Sequence, residues 1–334
     1  MLNSEKVLVT GGAGSVGVYL ARRLAKQGKE VVIADNFFRG KRDQDLTELL
    51  ALPNVTLIEG DLTTRAGWDA LGTGYTHVYQ LAGVNGTKLF YEIPGEVLRI
   101  GVTTILHSLE WLKDTNPTAK ILYTSSNEAY AGALTAFNQL SIPTPENVPL
   151  VISDTYNPRW TYGGTKLIGE LFYIHYAKEH GLRSVIVRPH NFYGPRTGYD
   201  HVIPEFIERI QNRVDPFPIN GADDTRTFCY MEDAVEAMQM VMESEKTDGG
   251  TYHIGRPYTD ELSMKELAEK LFEISGWHPK KLEIKNGPEG SVKRRAADVA
   301  KIKADVGWEA RVSLEEGLMR TRAWYNEHPN PKKK

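Results

Sequence analysis

Tyr162 and Lys166 stand four residues apart at the start of a segment whose pattern predicts a helix over 163–179, so both side chains share one helix face. Of the 16 tyrosines in the chain, only Tyr162 has a lysine at this spacing. An ammonium near a phenol favours the phenolate. A phenolate can take the proton of an alcohol while the carbon that bears it gives hydride to a nicotinamide, a general-base role worth roughly 10²–10⁴ in rate. The spacing alone is common in helices and carries little. It gains weight from Thr124-Ser125-Ser126-Asn127-Glu128-Ala129-Tyr130, which closes the apolar run Lys120–Tyr123. There Ser126 is suited to hydrogen-bond the same alcohol oxygen, and Glu128 offers a carboxylate for work on a neighbouring carbon. The catalytic candidates are therefore Ser126, Glu128, Tyr162 and Lys166.

Such groups need a cofactor platform, and Thr10–Gly17 (TGGAGSVG) reads as one, directly after the apolar run Lys6–Thr10 and directly before a helical pattern. Gly11 permits a tight turn, Gly14 a close backbone approach to a pyrophosphate, and Gly17 close helix packing. Ser15 and Val16 open the helix, whose free N–H groups and partial positive charge suit phosphates. Asp35 closes the second strand, where its carboxylate accepts from the adenosine ribose and repels a 2′-phosphate. NAD is therefore favoured over NADP, although Arg39 softens the repulsion. Asn36 beside it, Asp61 and Leu62 after the third strand, and Leu81, Ala82 and Gly83 after the fourth complete the expected cofactor contacts, together with Tyr162 and Lys166. Asp61 reads equally as an adenine contact or as a turn or helix-cap residue.

The elements that must hold these groups alternate. Strands read at Lys6–Thr10, Glu30–Asp35, Val55–Glu59, His77–Leu81, Lys120–Tyr123 and Arg183–Arg188, with helical patterns between them, notably 97–113 and 163–179. Apolar strands spaced by helices predict an α/β fold, a doubly wound parallel sheet of Rossmann type with ligands at the strands' carboxyl ends. Beyond about residue 190 prolines punctuate the chain, and helices at 202–212, Met264–Ser275 and Leu314–Asn326 predict a smaller mixed α/β lobe that binds substrate. The division is 1–189 for the cofactor domain and 190–330 mostly for the substrate lobe, with 226–256 expected to return to the first.

The 334 residues suffice for a large core without metal or disulfide staples, and Cys229 is the single cysteine. A net charge of −3 speaks against a broad nucleic-acid surface. No apolar run approaches the roughly 20 residues of a membrane helix, and the polar start Met1–Lys6 leaves no room for a signal peptide, so a cytoplasmic location is expected. The Lys332–Lys334 end reads as a solvated tail. No His, Cys and carboxylate spacing predicts a metal, and His190 and His201 read as structural or substrate-edge residues.

Taken together, TGGAGSVG, LAG at 81–83, SSNEAY, YGGTK at 162–166 and RPHNFYGPR at 188–196 resemble the extended short-chain dehydrogenases, in particular the nucleotide-sugar epimerase/dehydratase branch. The likeness continues through RTFCYMEDAVEA at 226–237, YHIG at 252–255 and KRRAADVAKIKADVGW at 293–308. The resemblance implies that Ser126, Tyr162 and Lys166 carry hydride transfer and that Lys166 also holds the nicotinamide ribose. It further implies that Asn127 and Asn191 contact the substrate, a nucleotide-diphosphate sugar, and that Arg226 and Arg295 clamp the diphosphate, a task suited to guanidinium forks. Helices 97–113 and 163–179 match those that form a homodimer interface in the family.

Members of the branch first oxidise the sugar, usually at C4. Glu128 leans toward dehydratases and decarboxylases, which carry a glutamate in this place. Asn127 weakens the 4,6-dehydratase reading, because an amide cannot donate the acidic proton that an aspartate there supplies. Asn157-Pro158-Arg159-Trp160 has some likeness to decarboxylases. An epimerase or dehydratase acting through a 4-keto sugar is the first expectation, a uronate decarboxylase the alternative, and a non-catalytic dinucleotide holder the remote one.

Overall fold

The computed structural model describes residues 5–137, 140–287 and 292–330; the Lys332–Lys334 tail and most of Met1–Lys6 lie outside them. The first half runs β1 (Lys6–Thr10), α1 (Ser15–Lys26), β2 (Glu30–Asp35), α2 (Gln44–Leu50), β3 (Val55–Glu59), α3 (Arg65–Asp69), β4 (His77–Gln80), α4 (Thr87–Glu92), α5 (Pro94–Thr115), β5 (Lys120–Thr124), α6 (Glu128–Phe137), α7 (Trp160–Glu179) and β6 (Arg183–Pro189). With the strand Thr251–Ile254 at one edge, the sheet has seven strands in the order Thr251–Ile254, β6, β5, β4, β1, β2, β3. Every pairing is parallel. The expected return of the 226–256 stretch thus includes this edge strand, whose residues pair with β6.

The strands are apolar on both faces because helices cover both. Val7 and Val9 of β1 pack on one side with Leu20 and Leu24 of α1 and with Ala234 and Met238 of the helix Met231–Glu243. Leu8, between them, packs on the other side with Ile105, Leu109 and Leu112 of α5 and Tyr173 and Ala177 of α7. This alternation is the period of two that a strand imposes. The strand order reverses between β1 and β4, and the crevice outside their carboxyl ends is where such a sheet takes a ligand.

A third apolar cluster builds the smaller lobe. It joins Phe206 and Ile207 of the helix Val202–Gln211, Phe217 and Ile219 of the strand Phe217–Asn220, Leu267 and Leu271 of the helix Met264–Ser275, and Leu318 and Tyr325 of the helix Leu314–Glu327. Met264–Ser275 lies where the periodicity predicts it, bounded by a Ser263/Glu266 capping box and by left-handed Gly276. A three-stranded sheet of Leu262–Ser263, Thr225–Arg226 and Arg294–Arg295 sets Arg226 and Arg295 in register.

No helix among the described residues is long and apolar enough to cross a membrane.

Candidate active site

A cavity of about 760 Å³ opens at the carboxyl end of the sheet, within the range of about 300–1,000 Å³ usual for ligand clefts. Its wall at β1 is the glycine turn. Gly11 has φ +65°, and a Cβ there would meet the Ala82 amide nitrogen at 3.0 Å. A Cβ on Gly17 would sit 2.4 Å from the Gly11 carbonyl oxygen, so the first turn of α1 can pack on the loop only as glycine. Thr10 ties the two strand ends together, its Oγ1 accepting from the Leu81 and Ala82 amides at 3.1 Å each.

Gly11, Gly14, Ser15, Val16, Gly17, Asp35, Asn36, Asp61, Leu62, Leu81, Ala82 and Gly83 all line this one cavity. Asp35 is buried, its carboxylate accepting from the amides of Ala13 (2.9 Å) and Phe37 (2.8 Å), so the same group that faces the cavity also holds the glycine turn to β2. Asp61 lines the cavity while accepting from the Thr63 amide at 2.9 Å. The turn role is thus met, whereas the cap of α3 is Thr64. A helix amino end, a glycine cradle and a buried carboxylate after β2 fit the pyrophosphate and ribose of NAD.

Ser126, Asn127, Glu128, Tyr162, Lys166, Asn191 and Arg295 line the far end of the same cavity. Lys166 Nζ donates to the Thr124 carbonyl at 2.7 Å and lies 5.4 Å from the centre of the Tyr162 ring. Phe90 stacks on that ring at 4.9 Å between centroids. The stretch LFYEIP thus helps to position the phenol, which its sequence alone does not reveal. Burial raises the Tyr162 phenol above its ordinary value, a hydrogen bond with Ser126 opposes this, and the negative charge of Glu128 adds to it. The expected lowering by Lys166 therefore does not prevail: desolvation is the larger effect. Burial also acts on Lys166, bringing its ammonium down to about 8 against the pull of Glu170.

Glu128 is not a free acid. Its Oε1 accepts from Arg159 Nη2 at 3.2 Å and from Arg295 Nη1, and Arg295 Nη1 also donates to the Asn127 side chain at 3.3 Å. Burial resists ionisation, yet Arg295, Arg159 and Arg226 together hold the carboxyl below its ordinary value. Arg159 and Arg295 each keep a buried Nε–H that meets no acceptor among the described residues. One buried guanidinium, Arg159, and one largely buried, Arg295, thus face one carboxylate, close enough to Tyr162 for Glu128 to act on its phenol.

Arg226, expected as a diphosphate clamp, lies beside the cavity and not in its wall. Its guanidinium donates to the carbonyls of Thr225 (2.6 Å), Lys293 (3.0 Å) and Val292 (2.5 Å). Those donors hold the small sheet together instead. Asn191, at φ +44°, gives its side-chain N–H to the Thr227 carbonyl at 2.9 Å while lining the cavity. His201 reaches the cavity; His190 is buried, its Nε2 3.0 Å from the Tyr130 hydroxyl. No group of three or more potential ligands for a metal stands together among the described residues.

Two arginines went unassigned in the sequence. Arg159 carried only the signal of its place in NPRW. Arg196, in RPHNFYGPR, is buried and donates to the carbonyls of Ala13 (2.9 Å), Gly14 (2.8 Å) and Lys41 (3.2 Å) and to the Asp43 carboxylate, so it straps the glycine turn to the loop after β2.

A family model for the NAD dependent epimerase/dehydratase family matches residues 7–255. UDP-glucuronic acid decarboxylase 6 of Arabidopsis thaliana is 32% identical over 95% of this chain and 87% of its own length. UDP-N-acetyl-alpha-D-glucosaminuronate decarboxylase of Bacillus cytotoxicus is 31% identical over 98% of this chain and 99% of its own. Among solved structures, UDP-glucose 4-epimerase of Thermotoga maritima superposes with a TM-score of 0.84 at 27% identity, covering 97% of this chain and 100% of that one. The chain belongs to the NAD dependent epimerase/dehydratase family, and NAD is its cofactor.

Proposed function

We propose that the chain oxidises the C4 carbon of a nucleotide-diphosphate uronic acid and lets the resulting keto acid lose CO₂. The observation that carries this reading is the excess positive charge beside Tyr162: buried Arg159 and largely buried Arg295, its side chain 11% exposed, both pair with the single carboxylate of Glu128. Unbalanced buried charge is costly, so the site calls for a second anion. A uronate carboxylate lies two bonds from C4 and would bring that anion to the place where the phenol works.

NAD, when bound, takes hydride from the sugar carbon and later returns it. With the Lys166 ammonium and the positive charge that bound NAD would add both favouring the phenolate against burial, Tyr162 takes the proton of the C4 hydroxyl while Ser126 holds the same oxygen. The keto group then stands β to the carboxylate, whose C–C bond breaks to release CO₂ and leave an enolate. A proton from water at C5, return of the hydride to C4 and return of the Tyr162 proton to the C4 oxygen complete the product. Dehydration is disfavoured because Asn127 is an amide and Glu128 is held ionised, so neither is an acid for a leaving hydroxyl. The two decarboxylase relatives support this order of preference over the epimerase or dehydratase first expected from sequence.

The test is an NMR-monitored incubation with UDP-glucuronate, UDP-N-acetylglucosaminuronate, UDP-glucose and GDP-mannose. CO₂ release with a pentose product supports the reading; inversion at C4 of a neutral sugar with no CO₂ refutes it. That second outcome is the epimerase reading, which the Thermotoga maritima likeness favours. The exposed Leu98 of α5 and Leu171 and Ile174 of α7 offer an apolar face for a homodimer.

A further inference from the structure

Behind the reacting face, one buried carboxylate joins the elements that carry Ser126, Tyr162 and Lys166. Glu170 lies on α7 one turn after Lys166 and is 2% exposed. Its Oε1 accepts from Ser125 Oγ at 2.5 Å and from Arg188 Nε at 2.8 Å, and its Oε2 accepts from Arg188 Nη2 at 2.7 Å. Arg188, on β6 and 4% exposed, also donates to the Glu146 carbonyl at 2.8 Å, in the connection between α6 and α7. A buried ion pair seldom adds net stability over apolar packing; what this one imposes is geometry. Here that geometry includes the residue next to Ser126 and the helix turn next to Lys166.

The titratable and charged groups around Lys166 are few. Tyr162 and Glu170 share its helix, and the Tyr123 ring of β5 lies 5.2 Å from its Nζ. Arg188 of β6 is bonded to Glu170, and Glu128 of α6 acts on Tyr162. Glu170 is the carboxylate that raises the Lys166 ammonium against burial.

We propose that Glu170 and Arg188 are positioning residues: buried and bonded to each other, to Ser125 and to the connection before α7, they fix Ser126, Tyr162 and Lys166 relative to one another, with the Glu170 carboxylate one helix turn from Lys166. This rests on reading Tyr162 and Lys166 as the hydride-transfer pair. Loss of one adjacent opposite charge shifts a group by about one unit or more.

The experiment uses the NAD-loaded enzyme labelled with ¹³Cε-lysine, with the Lys166 resonance assigned through Lys166→Met. In Glu170→Gln the Lys166 midpoint is expected to fall by about one pH unit, and in Glu170→Asp to return toward the parent value. An unmoved midpoint in folded Glu170→Gln overturns the placement of that carboxylate beside Lys166. Ser125→Ala leaves the ion pair in place and keeps the proposal testable should Glu170→Gln not fold. It is expected to lower kcat about tenfold with little change in KM; an unchanged kcat overturns the positioning role. Because the titration needs no substrate, it stands apart from the choice among nucleotide sugars.

Discussion

Removing Arg295 as Arg295→Met is expected to unbalance Glu128 in a way that depends on pH. In the parent protein, burial opposes the carboxylate and the arginines outweigh it, so the folded carboxyl lies below its ordinary value. A carboxyl so lowered stabilises the fold above its unfolded value near 4.3 and loses that contribution as pH falls through the folded value. Without Arg295, only Arg159 remains bonded to it, at 3.2 Å, and burial becomes the larger effect. Two charges roughly 3 Å apart in an effective dielectric near 20 interact by about 5 kcal/mol, and stripping one partner from a buried pair costs roughly 3–5 kcal/mol. With Arg159 still in place, a net loss of roughly 2–3 kcal/mol at pH 7–8 follows, or a Tm lower by roughly 3–4 °C. Protonation relieves the variant as pH falls, so the gap between variant and parent should shrink toward pH 5. Thermal unfolding of both proteins at pH 8, 7, 6 and 5, compared at each pH, measures this. A gap that is constant or widens on acidification would refute the account of Glu128 as a carboxylate held ionised by arginine.

Other substitutions probe the rest of the cavity. Tyr162→Phe is expected to lower kcat by roughly 10²–10⁴ while NAD affinity, measured by calorimetry, stays within a few-fold; retention of more than a few per cent of turnover would remove the phenol from proton transfer. Asp35→Ala removes both the charge facing a 2′-phosphate and the acceptor of the Ala13 and Phe37 amides. It is expected to weaken NAD binding and to narrow the preference for NAD over NADP, and unchanged discrimination in paired binding titrations would count against that role.

Much of the scaffold was written locally. The apolar runs at Lys6–Thr10, Glu30–Asp35 and Val55–Glu59 are the strands observed, because a strand apolar on both faces has no alternative environment. The glycines after β1, Asp35 after β2 and Leu81–Gly83 after β4 were legible for a related reason: parallel strands bring their carboxyl ends to one rim, so residues that close strands meet there. The Tyr162/Lys166 pair was legible because helical spacing alone puts both on one face.

What the linear order left open are relations across long separations. Arg226 and Arg295 look alike as cationic residues of the second lobe, yet one spends its donors on backbone carbonyls and the other meets Glu128. Their pairing on neighbouring strands sets the two side by side, and what each guanidinium then meets is supplied by other segments that local pattern does not bring together. Phe90, Arg159 and Arg196 likewise gain their places only when α4, the connection before α7 and the loop after β6 converge on one cavity. The protonation of Tyr162, Lys166 and Glu128 is tertiary in the same sense. Burial and the charges that surround a group set it, and both are properties of the folded chain rather than of neighbours in sequence.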